Sequence, residues 1–149
     1  LVNLKESEIK KNLEIALYAN KVIIDSVIKK KIKFKSIIAI SSGASLKPKY
    51  GWFCYSLAKV SLRFLIEAYA LEYKNLHFVN YNPGIIETNM QKKIRKLNVK
   101  KFPSTKVFID KFKNNEVTNP DYAAELFYNS LKKLRKMDSG SYYDIRKWL

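Results

Sequence analysis

Tyr55 and Lys59 stand four residues apart, and Ser42 precedes the tyrosine by thirteen. A free phenol holds its proton until about pH 10, so alone it is a poor acid at neutral pH. An ammonium one helical turn away favours the phenolate, and so does the partial positive charge at the amino end of a helix. A phenol helped in both ways can protonate the alkoxide that forms when a carbonyl accepts hydride, which is general acid catalysis. A hydroxyl such as that of Ser42 can hold and orient the carbonyl oxygen. The spacing alone does not single out this pair, because Tyr128–Lys132 and Tyr143–Lys147 repeat it. Context does. Ser42 follows the apolar run Ile37-Ile38-Ala39-Ile40, and Tyr55 opens an amphipathic stretch through Leu62, Phe64, Leu65 and Tyr69. A strand end followed by a loop and a helix start is where open α/β sheets bind ligands.

The elements that must position these groups can be read from periodicity and breakers. Residues 7–30 predict a helix with Ser7 as its N-cap. Its apolar positions run nearly all round, as in a helix buried between layers. Residues 36–41 predict a strand, 43–51 a loop containing Gly and Pro, and 53–73 a second helix. A short strand over 76–81 ends at Pro83-Gly84. Residues 85–118 read as a Lys-rich flap with one or two short helices. Asn119-Pro120 starts a helix to about residue 137, and 141–145 reads as a last strand. Strands alternating with helices predict a parallel sheet with right-handed crossovers. The expectation is α/β, with about three strands, flanking helices and a single domain over 1–149.

Composition narrows the function classes. Hydrophobic residues make up 47% of the 149 residues, which suits a packed core. No apolar run reaches the roughly 18 residues of a membrane span, so no membrane partner is expected. Cys54 and His77 are the only residues of their types, which argues against a disulfide, a Cys- or His-rich metal centre and His-dependent catalysis. A reducing, cytoplasmic setting follows. The net charge of +16 raises nucleic acid as a partner, but only four of the basic residues are Arg (63, 95, 135 and 146). Scattered lysines predict a solvated surface with incidental affinity for polyanions, and no specific nucleic-acid partner.

Three longer patterns accompany Ser42, Tyr55 and Lys59: Pro48-x-x-Gly51-Trp52-x-x-Tyr55, Asn80-Tyr81-x-Pro83-Gly84-x-x-Glu87-Thr88-x-Met90-Gln91, and Ser139-Gly140-x-x-x-Asp144. Together they resemble the short-chain dehydrogenase/reductase family, in its sepiapterin reductase and benzil reductase branch, from about residue 8 to residue 145. The resemblance implies the C-terminal part of a doubly wound, Rossmann-like parallel sheet, and an NADP-dependent carbonyl reductase with NAD as the alternative cofactor. Its substrate would be a small carbonyl compound such as a diketone or pterin ketone.

By the same resemblance Tyr55 is the proton donor, Lys59 binds the nicotinamide ribose and assists the tyrosine, and Ser42 steadies the substrate carbonyl. Pro83, Gly84, Ile86 and Thr88 border the nicotinamide. Trp52 walls the substrate pocket, with a core aromatic as the competing reading, and Asp144 anchors an amino-pterin or ends a strand. Helices 7–30 and 53–73 correspond to the family's homodimer interface, and 85–118 to its substrate flap.

Two departures from the family pattern stand out. A relay asparagine is expected before the Ser-bearing strand, where the alignment puts Ala16, and Asn12 fits only in a shifted register. None of the four glycines (43, 51, 84, 140) forms the Gly-rich turn that receives the cofactor pyrophosphate. The N-terminal dinucleotide-binding strands are therefore expected to be missing from this chain. The competing expectation is a non-catalytic remnant that keeps only fold and association surfaces.

Overall fold

The computed structural model describes residues 1–148. Three strands form one parallel sheet in the order β1-β2-β3: β1 (Ile37–Ile40), β2 (Phe78–Asn82) and β3 (Tyr142–Asp144). Ala39 lies opposite Asn80, and Tyr81 opposite Tyr143. This register aligns the carboxyl ends of all three strands, at Ile40, Asn82 and Asp144. The loops that leave there share one edge of the molecule. The far edge of β1 pairs with no strand among the described residues.

Helices cover both faces, and β2 shows why. Its side chains alternate, so Phe78 faces one layer while Val79 and Tyr81 face the other. Phe78 packs with Ile24, Leu62, Ile66 and Tyr69 from α2 (Ala19–Lys29) and α3 (Phe53–Glu72). Val79 and Tyr81 pack with Tyr143, Ile145 and Leu134, the last from α6 (Pro120–Leu134). Phe78, Val79, Ile66 and Leu134 are each 0% exposed. A strand buried on both faces reads as a near-continuous apolar run, as this one does apart from its asparagines.

Several boundaries differ from expectation for identifiable reasons. The helix expected over 7–30 begins at Glu6 as α1 (Glu6–Leu13), and Ser7 lies inside it rather than capping it. Glu8 reaches back to the Lys5 N–H at 3.2 Å instead. Between α1 and α2, Glu14–Tyr18 widens into a π turn. Asn20 Nδ2 donates to the Ile15 and Ala16 carbonyls at 3.1 and 3.0 Å, satisfying groups that the wider turn displaces. The middle strand starts two residues later than expected, because His77 is held by Ser36 Oγ and the Met137 carbonyl, both at 2.8 Å. His77 is thus a structural clasp. The last strand ends at Asp144, where Ile145–Lys147 tightens into a 3-10 turn.

Residues 85–118 carry α4 (Asn89–Arg95) and α5 (Ser104–Lys113). The two ends of this segment are tied together, as Thr118 N–H donates to the Ile85 carbonyl at 2.8 Å and Glu87 N–H to the Thr118 carbonyl at 2.9 Å. The ion pair of Arg95 with Glu87, at 2.6 Å, braces the same hinge.

Candidate active site

The cleft at the carboxyl ends of the strands is lined by all but one of the sequence-derived site residues: Ser42, Trp52, Tyr55, Lys59, Pro83, Gly84, Ile86 and Thr88. It holds about 320 Å³, in the range of a small-molecule site. Each residue arrives there for a local reason. Ser41 is buried against Ser45, whereas Ser42 is half-buried at the cleft wall. Ser42 Oγ accepts from Ala44 N–H at 3.2 Å, which fixes the oxygen and leaves its hydrogen for an acceptor in the cleft.

Tyr55 is in the first turn of α3, and Lys59 follows one turn later on the same face. Lys59 Nζ donates to the Ile40 carbonyl at 2.8 Å, which ties the helix to the last residue of β1, and lies 5.9 Å from the centre of the Tyr55 ring. Burial pushes the Lys59 ammonium below its ordinary pKa. Trp52 meets the Tyr55 ring edge-on at 5.3 Å and packs on Phe102 and Phe108 at 5.6 and 5.4 Å. It therefore joins the flap to the cleft. Its Nε1 is buried without a hydrogen-bond partner among the described residues, as is Gln91 Oε1 in the same wall. Gly51 makes this docking geometrically possible. Its φ is +77°, and a Cβ there would lie 2.4 Å from a Phe102 ring carbon.

The hinge leaves a further pair of groups for the cleft. Thr118 bonds to Ile85 and Glu87, the residues flanking Ile86. In a parallel bridge of this kind the N–H and C=O of Ile86 itself face away from Thr118. A backbone donor and acceptor side by side match a primary carboxamide, the group carried by a nicotinamide. The residues present thus fit the nicotinamide end of the cofactor. No Gly-rich strand-to-helix turn for a pyrophosphate occurs among the described residues.

Asp144 stands apart from the other expected residues. It is 8% exposed and lies outside the cleft lining. Its Oδ1 accepts from the Arg146 N–H and Nε at 3.1 and 2.9 Å, and its Oδ2 from Asn82 Nδ2 and the Arg146 guanidinium at 3.0 and 2.5 Å. The guanidinium beside it holds the Asp144 carboxyl below the usual carboxylate range. With every lone pair engaged, Asp144 has none left for a substrate amine. Arg146, which the sequence reading passed over, lines the cleft in its place. The expected relay position also differs from an ordinary helix. Ala16 sits in the π turn with its carbonyl taken by Asn20, while Asn12 bonds to the Glu8 carbonyl at 2.8 Å.

A family model described as "short chain dehydrogenase" matches residues 2–98. Benzil reductase ((S)-benzoin forming) of Bacillus subtilis is 27% identical over 119 residues, which cover 77% of this chain and 48% of that protein. Sepiapterin reductase of Rattus norvegicus is 34% identical over 61 residues, 41% of this chain and 23% of that one. The chain therefore spans about half or less of the length of these relatives. L-sorbose reductase from Gluconobacter frateurii, solved with NADPH and L-sorbose, superposes with a TM-score of 0.74 at 16% identity, covering 97% of this chain and 59% of that one.

Proposed function

This chain belongs to the short-chain dehydrogenase family, and from that premise we propose that it serves in the reduction of a small carbonyl compound by a reduced nicotinamide dinucleotide. The observation that carries the reading is the meeting of Ser42, Tyr55 and Lys59 around one cleft from two separate elements. When bound, the cofactor supplies a hydride to the carbonyl carbon. The Ser42 hydroxyl donates to the carbonyl oxygen and holds it near the phenol. The Tyr55 phenol then gives its proton to the oxygen as negative charge develops there. Lys59 stabilises the phenolate left behind, and its bond to Ile40 keeps it in place. The Ile86 backbone binds the carboxamide, and Pro83, Gly84 and Thr88 border the ring. Trp52 and the flap over 85–118 limit water access to the substrate.

NADP is the preferred cofactor, NAD the alternative, and the setting is cytoplasmic. No helix among the described residues is long and apolar enough to cross a membrane. The exposed apolar side chains Ile15, Tyr18 and Val22, with Phe64 and Leu71 on α3, suit a homodimer face. Ile15→Asp with Phe64→Asp should convert a dimer to a monomer in sedimentation analysis, and a monomeric parent protein would refute that face.

The test of function is nicotinamide absorbance during incubation with NADPH or NADH and 1-phenyl-1,2-propanedione or phenylglyoxylate. Oxidation that requires both cofactor and carbonyl compound is expected. No oxidation with either cofactor and any small carbonyl compound would favour the non-catalytic remnant.

A further inference from the structure

The charge of the cleft is one-sided. Lys49, Lys59, Lys111 and Arg146 line it, and no Asp or Glu does. Two of the four have counter-ions set behind them: Lys111 pairs with Glu116 at 2.5 Å, and Arg146 with Asp144. Arg146 is the informative member. Its Nε and one terminal nitrogen are spent on Asp144, so three of its five N–H groups stay free, and its side chain is 54% exposed. Asp144 therefore acts as a bracket, fixing the plane of the guanidinium.

Gly84 makes room for it, and Gly43 lies beside it in ordinary contact. A Cβ at Gly84, whose φ is +80°, would lie 3.3 Å from Arg146 Cδ, and one at Gly43 would lie 3.9 Å from its terminal nitrogen. The arginine thus lies across the ends of all three strands, over the loops that carry Ser42 and Pro83. A planar cation held at a site with unspent donors suits a carboxylate, which it can bind through two parallel bonds. Trp52 and Phe108 form an aromatic wall in the same cleft.

We propose that the cleft takes carbonyl substrates bearing a carboxylate, with an aryl 2-oxo acid as the type, and that Arg146 is the residue that binds the carboxylate. This rests on the carbonyl-reductase reading above and gives its substrate class. The ketone carbon receives hydride from the reduced nicotinamide, its oxygen receives the Tyr55 proton, and the product is the 2-hydroxy acid with oxidised nicotinamide. The carboxylate passes through unchanged. Lys49 and Lys111 supply the surrounding positive field that draws the anion in. The same electrostatics set this chain against a cationic substrate, because Asp144 at the end of β3 already has its full set of donors.

The test compares phenylglyoxylate with 1-phenyl-1,2-propanedione, which have the same shape but carry a carboxylate oxygen and a methyl group respectively. Binding is measured by calorimetric titration of the protein without turnover, so the outcome does not depend on whether hydride transfer occurs. The acid should bind about tenfold or more tightly than the dione at low salt. Arg146→Gln should erase that preference, bringing the acid to the affinity of the dione, and Arg146→Lys should restore part of it. Because Arg146→Gln strands a buried carboxylate, the pair Arg146→Gln with Asp144→Asn serves as the second variant, with thermal melting as the check on folding. An acid that binds no more tightly than the dione, or a preference that survives both variants, would overturn the assignment. So would an acid preference left intact in Arg146→Gln alongside a loss of NADPH affinity, since the arginine would then serve the cofactor phosphates. If the acid preference holds and no turnover is seen, the carboxylate site at Arg146 stands and the reductase reading, with the substrate role of the acid, falls.

Discussion

Replacing Lys59 by Met tests how the cleft promotes proton transfer. Lys59 Nζ lies 5.9 Å from the centre of the Tyr55 ring. At an effective dielectric constant of about 20, a unit positive charge at that separation stabilises a phenolate by roughly 3 kcal/mol, and by about half that in a wetter cleft. Only the transition state and product carry that phenolate, so the loss falls on the chemical step. The expected fall is about 10- to 100-fold in the single-turnover rate of nicotinamide oxidation, with the cofactor and the best carbonyl substrate prebound. The same substitution removes the 2.8 Å bond to the Ile40 carbonyl. Lys59→Gln keeps an N–H donor but no charge, so it should lose as much rate as Lys59→Met if electrostatics dominate. A Lys59→Met protein that keeps more than half of the parent rate would refute the reasoning. A full rate in Lys59→Gln would reassign Lys59 to positioning.

Other consequences follow from the same geometry. Gly51→Ala forces a positive φ on a residue with a Cβ, costing roughly 1–2 kcal/mol, and drives that Cβ into the Phe102 ring. Proteolysis within 96–104 should become faster as the flap undocks, and an unchanged cleavage pattern would contradict the docking role of Trp52. Acid should destabilise the fold through Asp144. Because the folded-state pKa of that carboxyl is depressed, chiefly by the Arg146 hydrogen bond, its contribution is present above about pH 4 and is lost as pH falls through the lower folded value. Asp144→Asn should therefore start about 1 kcal/mol less stable at neutral pH, a figure kept small because Arg146 is half exposed. It should then lose less stability than the parent on acidification. Parallel melting curves for the two proteins between pH 5 and pH 2 would rule this out.

What could be read ahead of the structure was local. The run Ile37–Ile40, the Gly- and Pro-containing loop and the 3.6-residue repeat after Phe53 place Ser42, Tyr55 and Lys59 within one strand–loop–helix unit. Their convergence needs no distant partner, and for that reason it was legible. The π turn was not, because Glu14–Tyr18 is composed of ordinary helix formers and the compensating bonds come from Asn20, beyond the turn. Arg146 was invisible for a different reason. Its place depends on Gly84, which is far away in the sequence and is brought beside β3 only by the sheet register. Asp144 was assigned by its position after Ser139-Gly140, but its chemistry is decided by Asn82 on the neighbouring strand. The flap could be delimited by composition, yet its anchoring by Gly51 and Phe102 is a matter of tertiary packing. The spacing of Tyr128–Lys132 and Tyr143–Lys147 shows the limit of pattern alone, because neither pair lines the cleft.

The most direct measurement is the single-turnover rate of Tyr55→Phe, a change that removes one oxygen and leaves the ring that packs edge-on against Trp52. Binding of cofactor and phenylglyoxylate should match the parent protein, while reduction of the ketone falls by at least about 100-fold. A Tyr55→Phe protein that reduces the ketone at more than about a tenth of the parent rate would mean the proton comes from elsewhere.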